Sequence, residues 1–324
     1  MGAATFGELH HPLRRSHELV EPRVVGRQRR RVSGVVVEEH SGRPVALDEG
    51  GRGPGSGPVD PAVAAERAAD AVERHCRAAI EAAGPECVAV KLQLACFERL
   101  GAPGWRALEA AAHAARAHDL LVIADGKRGD VPATARAYAQ ALVGATATPF
   151  GDVPGLGADA FTANPLLGAD ALEPLVEAAA YAGAGVFCLV RTSNPGAGEI
   201  QDRPSPDRPL HEVLAGLVHE LGGGAVGERG LAGVGAVTGA TRPDLLARLR
   251  ELMPRAVFLL PGVGVQGGTV EALRPAFDPH PAAGLVTASR SIVDAWREVG
   301  GDPASAARRA AAGLRAAAWR VGAG

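Results

Sequence analysis

Lysine is almost absent from this sequence. Of its 324 residues, 34 are lysine or arginine, yet only Lys91 and Lys127 are lysine. Cysteine is scarce too. Cys76, Cys87, Cys96 and Cys188 form no C-x-x-C pair, which argues against a thiolate metal site or a disulfide framework and for reduced, buried thiols in a cytosolic protein. Neither charge sign dominates: the formal net charge is −2, so nothing global points to nucleic acid or to an anionic membrane. No apolar run reaches the roughly 20 residues that a membrane span needs. The first residues also lack the basic-then-apolar order of a secretory signal. Hydrophobic residues make up 47% of the chain, enough for one large core or for two domains.

Residues 1–58 stand apart. They hold "RVVGRQRRRVSG" and "EGGRGPGSGPVD", with little helical periodicity. From Pro61 a regular pattern begins, predicting an atypical segment over 1–58 and a folded domain over 59–324. Residues 61–84 carry apolar positions at helical spacing and end in Gly84, a common helix stop. Seven apolar runs then alternate with Ala/Leu-rich helical stretches: 87–93, 120–126, 158–164, 185–193, 231–239, 256–264 and 284–291. Runs that are apolar throughout suit strands buried on both faces, as in a parallel sheet. Polar residues gather just after these runs, from Lys91 to Ser289–Ser291. An open sheet gathers its site at one switch point, whereas a (β/α)₈ barrel collects residues from every strand end at one face. The α/β barrel is therefore the expected fold. It needs an eighth strand before Pro61, and 32–39 and 44–51 compete for it. The second is favoured because it ends in Asp48 followed by turn residues, as the other strand ends do.

The segment "DGKRGD" places Asp125 and Lys127 two apart at a strand end, where alternate side chains face one cavity. Asp130 follows a glycine turn and opens the next helix, where a carboxylate suits the positive helix end. A lysine between carboxylates stays charged. It can still give a proton to a strongly basic centre, which arginine in practice cannot. That is a chemical reason for a chain that otherwise writes arginine to keep lysine here. Lys91 ends the preceding strand, and neighbouring barrel strands would join both lysines and both carboxylates in one alternating array. "PGVGVQGG" (261–268) matches G-x-G-x-x-G but follows the seventh run rather than the first. It reads better as a glycine turn near a phosphate than as a dinucleotide fingerprint. Arg290 in "ASRS" would be its bidentate partner. "RTSNPG" and "TANPLLG", with Ser193 and Asn164, are turns able to hydrogen-bond a base or a sugar.

In this order "DGKRGDVPAT", "NPLLG", "RTSNPG", "PGVGVQGG" and "SRS" resemble orotidine 5′-phosphate decarboxylase of the longer bacterial type, over about 61–295. The resemblance implies a barrel homodimer that converts orotidine 5′-phosphate to UMP without metal or organic cofactor. It implies Lys127 as proton donor, with Lys91, Asp125 and Asp130 completing the array. Asp130 and Thr134 would reach the partner subunit's site, Ser193 would contact the pyrimidine, and Gln266 and Arg290 would grip the phosphate. The family's first strand carries an aspartate that contacts the ribose, and Asp48 is the nearest approach to it here.

Three rival readings remain at this level. A metal-dependent sugar-phosphate decarboxylase or aldolase would want an acidic ligand where Lys91 stands. An inactive phosphate-ligand binder would bind nucleotide without releasing CO₂. A nucleic-acid role for "RVVGRQRRR" would want interleaved aromatics, and there are none.

Overall fold

The computed structural model describes the backbone of residues 34–39 and residues 60–323. Eight parallel strands close a barrel in strict chain order. They are β1 (Gly34–Glu39), β2 (Ala89–Gln93), β3 (Leu121–Arg128), β4 (Ala160–Ala163), β5 (Gly185–Arg191), β6 (Val234–Thr238), β7 (Phe258–Leu260) and β8 (Gly284–Ala288). All seven expected runs form strands. The eighth comes from the first candidate and not the favoured one. β1 pairs with β8 through Val35↔Val286 and with β2 through Val37↔Val90, so the gap that 44–51 was expected to fill is already occupied. Asp48 lies outside the described residues.

The strands are apolar on both faces because each face has its own core. Ala89, Ile123, Ala160, Phe187, Val237, Leu259 and Leu285 fill the barrel interior. The alternate residues, among them Val90, Val122, Phe161, Val186, Ala236, Phe258 and Val286, pack outward against helices, as the two-residue period of a strand requires. The covering helices are α1 (Pro61–Ala83), α2 (Ala102–Ala117), α3 (Pro132–Leu142), α4 (Ala169–Ala182), α5 (Leu210–Gly222), α6 (Leu246–Leu252) and α7 (Pro303–Ala323). α1 starts where Asp60 accepts the Ala62 N–H at 2.7 Å and Pro61 takes the first turn, a favourable N-terminus. Its buried face runs Ala69, Val72, Cys76, Ile80 and Ala83. All four cysteines are buried, and burial pushes the Cys188 thiol up to about 12. One element has no counterpart in the sequence reading. A hairpin, Ala145–Thr148 with Gly151–Pro154, follows α3 outside the barrel. Among the described residues no helix is long and apolar enough to cross a membrane.

Arg250 on α6 ties the lower part of this wall together. Its guanidinium is buried and donates to the carbonyls of Met253 (2.9 Å), Ala256 (2.7 Å), Ala276 (2.7 Å) and Ala283 (3.3 Å). It also lies 3.8 Å from the centre of the Phe258 ring. Burial draws its pKa down to about 10, so it stays charged at neutral pH. Arg250→Met would leave buried carbonyls without donors, each costing about 1–3 kcal/mol. The expected loss is at least about 3 kcal/mol of unfolding free energy, read as a lower urea midpoint.

Candidate active site

Lys91, Asp125 and Thr162 continue the inward rows of β2, β3 and β4, one alternation beyond Ala89, Ile123 and Ala160. The carboxylate of Asp125 is the centre of the group. Its Oδ2 accepts from Lys91 Nζ at 2.5 Å and its Oδ1 from Lys127 Nζ at 2.6 Å. Oδ1 also accepts from the Thr162 hydroxyl at 2.8 Å. Lys91 is 2% exposed, whereas the Lys127 side chain is 42% exposed toward the barrel mouth. Burial by itself would raise the Asp125 carboxyl, but the charges of Lys91 and Lys127, with the hydrogen bonds they donate, hold it well below the usual carboxylate range. Gln93 Nε2 donates to the Asp125 carbonyl at 3.1 Å and steadies the strand end.

Lys127 has a backbone φ of +48°, a left-handed conformation that costs a non-glycine residue about 1–2 kcal/mol. The cause is a bulge. Ala124 pairs with Phe161 and Arg128 with Ala163, so four steps on β3 face two on β4. Within it the Lys127 N–H donates to Thr162 Oγ1 at 2.8 Å. In the sequence Thr162 is only the first residue of "TANPLLG", a turn expected to hydrogen-bond a base or a sugar; the structure turns its hydroxyl to Asp125 instead.

The remaining candidates fall in two groups. Asp130 is half-buried and accepts its neighbour's N–H, that of Val131, at 2.7 Å, while Thr134 is exposed on the first turn of α3. Among the described residues Asp130 makes no ion pair with either lysine, so the structure does not bring these two into the array of their own chain. Asn164 is half-buried after β4, where its Oδ1 caps the following turn by accepting from Leu166 N at 3.1 Å. Gly129 packs against it so closely that a Cβ would lie 2.7 Å from the Asn164 carbonyl oxygen.

The other group forms a rim across β5 to β8. Ser193 sits in a turn held by Arg191, whose Nε and Nη2 grip Asp202 at 2.8 and 2.9 Å. Arg242 Nη1 reaches the same carboxylate at 3.3 Å. Hydrogen bonds from Arg191, against a smaller cost of burial, hold Asp202 below its ordinary pKa. Gly262, at φ +105°, comes so near that a Cβ would lie 3.2 Å from Ser193 Cβ, from Thr241 Cγ2 and from Gln266 Oε1. Gly264 likewise abuts Ser291 at 3.3 Å. Ser193, Gln266 and the Arg290 turn therefore line one edge, with Gln266 and Arg290 exposed. The N–H groups of Gly264, Gly267 and Gly268 are used inside the glycine turn, so these three are not the ones offered to an anion. Thr238 does not belong to the rim. It shares the outward row of Val234 and Ala236, where its buried hydroxyl has no hydrogen-bond partner. Among the described residues no group of three or more His, Cys, Asp or Glu could hold a metal ion.

A carboxyl whose folded-state pKa is depressed stabilises the fold above its unfolded pKa, and that stability is lost as pH falls toward the folded value. For Asp125 the loss begins near its ordinary pKa of 3.8 and continues below it. Asp125→Asn is expected to be less stable at pH 7, where two ammonium groups would stand without their carboxylate. It should also lose less stability than the parent chain between about pH 4 and pH 2, as read from urea midpoints across that range.

A sequence profile of the orotidine 5′-phosphate decarboxylase / HUMPS family matches residues 63–310. A curated orotidine 5′-phosphate decarboxylase of Rhodopirellula baltica is 43% identical over 230 residues, covering 71% of this chain and 75% of that one. The one from Deinococcus radiodurans is 41% identical over 257 residues, covering 79% and 88%. Among solved structures, the Leishmania donovani OMP decarboxylase superposes with a TM-score of 0.66 at 28% identity, covering 93% of this chain and 98% of that one. With the closed barrel and the Lys91–Asp125–Lys127 group at its mouth, these matches show that the chain belongs to the orotidine 5′-phosphate decarboxylase / HUMPS family.

Proposed function

We propose that this chain decarboxylates orotidine 5′-phosphate to UMP, as a carboxy-lyase of pyrimidine biosynthesis that uses neither metal nor organic cofactor. The observation that carries the reading is the buried carboxylate of Asp125 held between two ammonium groups, one sealed in the barrel and one facing its mouth. In this reaction the bond from C6 of the pyrimidine to its carboxylate breaks, CO₂ leaves and the electron pair stays on C6. Lys127 is the group placed to stabilise that charge and then to protonate the carbon from its Nζ, with water restoring the lysine. Lys91 and Lys127 together keep the Asp125 carboxylate ionised, and Asp125 in turn aims the Lys127 Nζ through their 2.6 Å contact.

The rim supplies the rest of the reading. Ser193 and Asn164 face the base and sugar, and Gln266 and Arg290 hold the phosphate. That remote binding energy can align the ring over Lys127. Asp130 and Thr134, outside the array of their own chain, serve the site of a second copy in a homodimer with shared active sites. The residue chemistry supports a cytoplasmic enzyme acting on a small molecule, with no nucleic-acid or membrane partner. A metal-dependent sugar-phosphate reaction is less well supported, because both Asp125 oxygens accept from ammonium groups where a cation would need them.

Orotidine 5′-phosphate turnover, followed by loss of its ultraviolet absorbance, is expected to be unchanged by chelator. A rate that requires added Mg²⁺ would overturn the reading. Lys127→Arg keeps the charge but not the labile proton, so kcat should fall by at least about 100-fold with the fold intact. Mixing Asp130→Ala with Lys127→Ala subunits should restore part of the activity that each lacks alone. No recovery in mixed dimers of verified composition would count against shared sites.

A further inference from the structure

Thr162 sits where two requirements of the site meet. A carboxylate can only accept and a backbone N–H can only donate, so the direction of both its hydrogen bonds is determined. The hydroxyl proton goes to Asp125 Oδ1 at 2.8 Å, and the oxygen receives the Lys127 N–H at 2.8 Å. Thr162 is 1% exposed, so no bulk water stands ready to replace it. It lies on β4 between Phe161 and Ala163, opposite the stretch of β3 that bulges between Ala124 and Arg128. In a regular ladder the Lys127 N–H would find a main-chain carbonyl. In the bulge it finds this side chain instead.

We propose that Thr162 is a positioning residue for the reaction: its hydroxyl holds the Lys127 backbone in the left-handed turn and orients the Asp125 carboxylate toward the Lys127 ammonium. This rests on the decarboxylase reading above but assigns a role to a residue outside the charge array. The same oxygen fixes Lys127 at both ends, directly at the main chain and through Asp125 at the ammonium. The strained φ of +48° then has a definite function. It turns the lysine side chain back over the carboxylate two residues earlier, and a bulge beside a site is a known means of re-aiming a side chain. Without the hydroxyl, the part-buried N–H loses its partner and Oδ1 keeps only the lysine. Both changes release the ammonium from its place.

The test compares Thr162→Val, which keeps the β-branched shape and removes both hydrogen bonds, with Thr162→Ser, which keeps the hydroxyl. Thr162→Val should lower kcat by about 10- to 100-fold, the range for a lost hydrogen bond to a charged group, with KM for orotidine 5′-phosphate changed much less. Thr162→Ser should recover most of that loss. Hydrogen exchange at the Lys127 amide needs no substrate. It should accelerate in Thr162→Val and stay slow in Thr162→Ser. Wild-type kcat and slow Lys127 exchange in folded Thr162→Val would overturn the proposal, and so would a serine variant as impaired as the valine one. Should the parent chain not decarboxylate orotidine 5′-phosphate while the exchange pattern appears as expected, the activity reading fails, and the role in that reaction with it, while the hold of Thr162 on the Lys127 backbone stands.

Discussion

A carboxylate inside an apolar barrel is the constraint around which the site of this protein is arranged. Burial alone would favour the neutral acid, yet Asp125 is held ionised because Lys91 and Lys127 stand at 2.5 and 2.6 Å from its two oxygens. The contact serves both sides: the carboxylate also gives the almost fully enclosed Lys91 ammonium an acceptor at 2.5 Å inside the barrel. Lys127 reaches the mouth while Lys91 and the Thr162 hydroxyl behind it satisfy the rest of the carboxylate.

The barrel makes that cluster possible through alternation. Inner residues near the start of each strand are apolar and pack into a small core. One alternation further on, the same rows carry Lys91, Asp125 and Thr162. Core and site are thus successive layers of one structure, and the packing of the first fixes the second. The two halves of the mouth differ in chemistry. The ends of β2 to β4 hold the charge array. The ends of β5 to β8 hold a glycine-rich rim whose closeness is enforced by Gly262 against Ser193 and Thr241. The rim half is anchored from behind by two arginines with structural tasks. Arg191 clamps Asp202 under the Ser193 turn, and Arg250 gathers main-chain carbonyls beneath β7 and β8. In a chain so rich in arginine, the forked guanidinium does the structural work that needs several fixed donors at once.

Much of this was legible in the chain itself. Seven apolar runs separated by helical stretches announced seven strands, because a strand buried on both faces cannot hide its composition. The scarcity of lysine marked Lys91 and Lys127, and the ordered motifs identified the family. The first strand was misplaced. Asp48 and its turn residues imitated the other strand ends, but "GVVVEE" closes the barrel. Polarity after an apolar run is a weak guide at the closing strand, one of whose two neighbours is the last strand of the chain.

By itself, the sequence determined the alternating fold, the strand ends that bear chemistry and the residue types able to move a proton. Those follow from local periodicity and from side-chain chemistry. Only the tertiary structure decided which strand closes the barrel, that the Asp125 carboxylate uses both of its oxygens on lysines 36 residues apart in the chain, that Thr238 turns away from the rim, and that β3 bulges so that Thr162 supports Lys127. These depend on register between neighbouring strands. Register is a balance of packing across the whole barrel, and a slip or bulge of one residue changes which side chains meet.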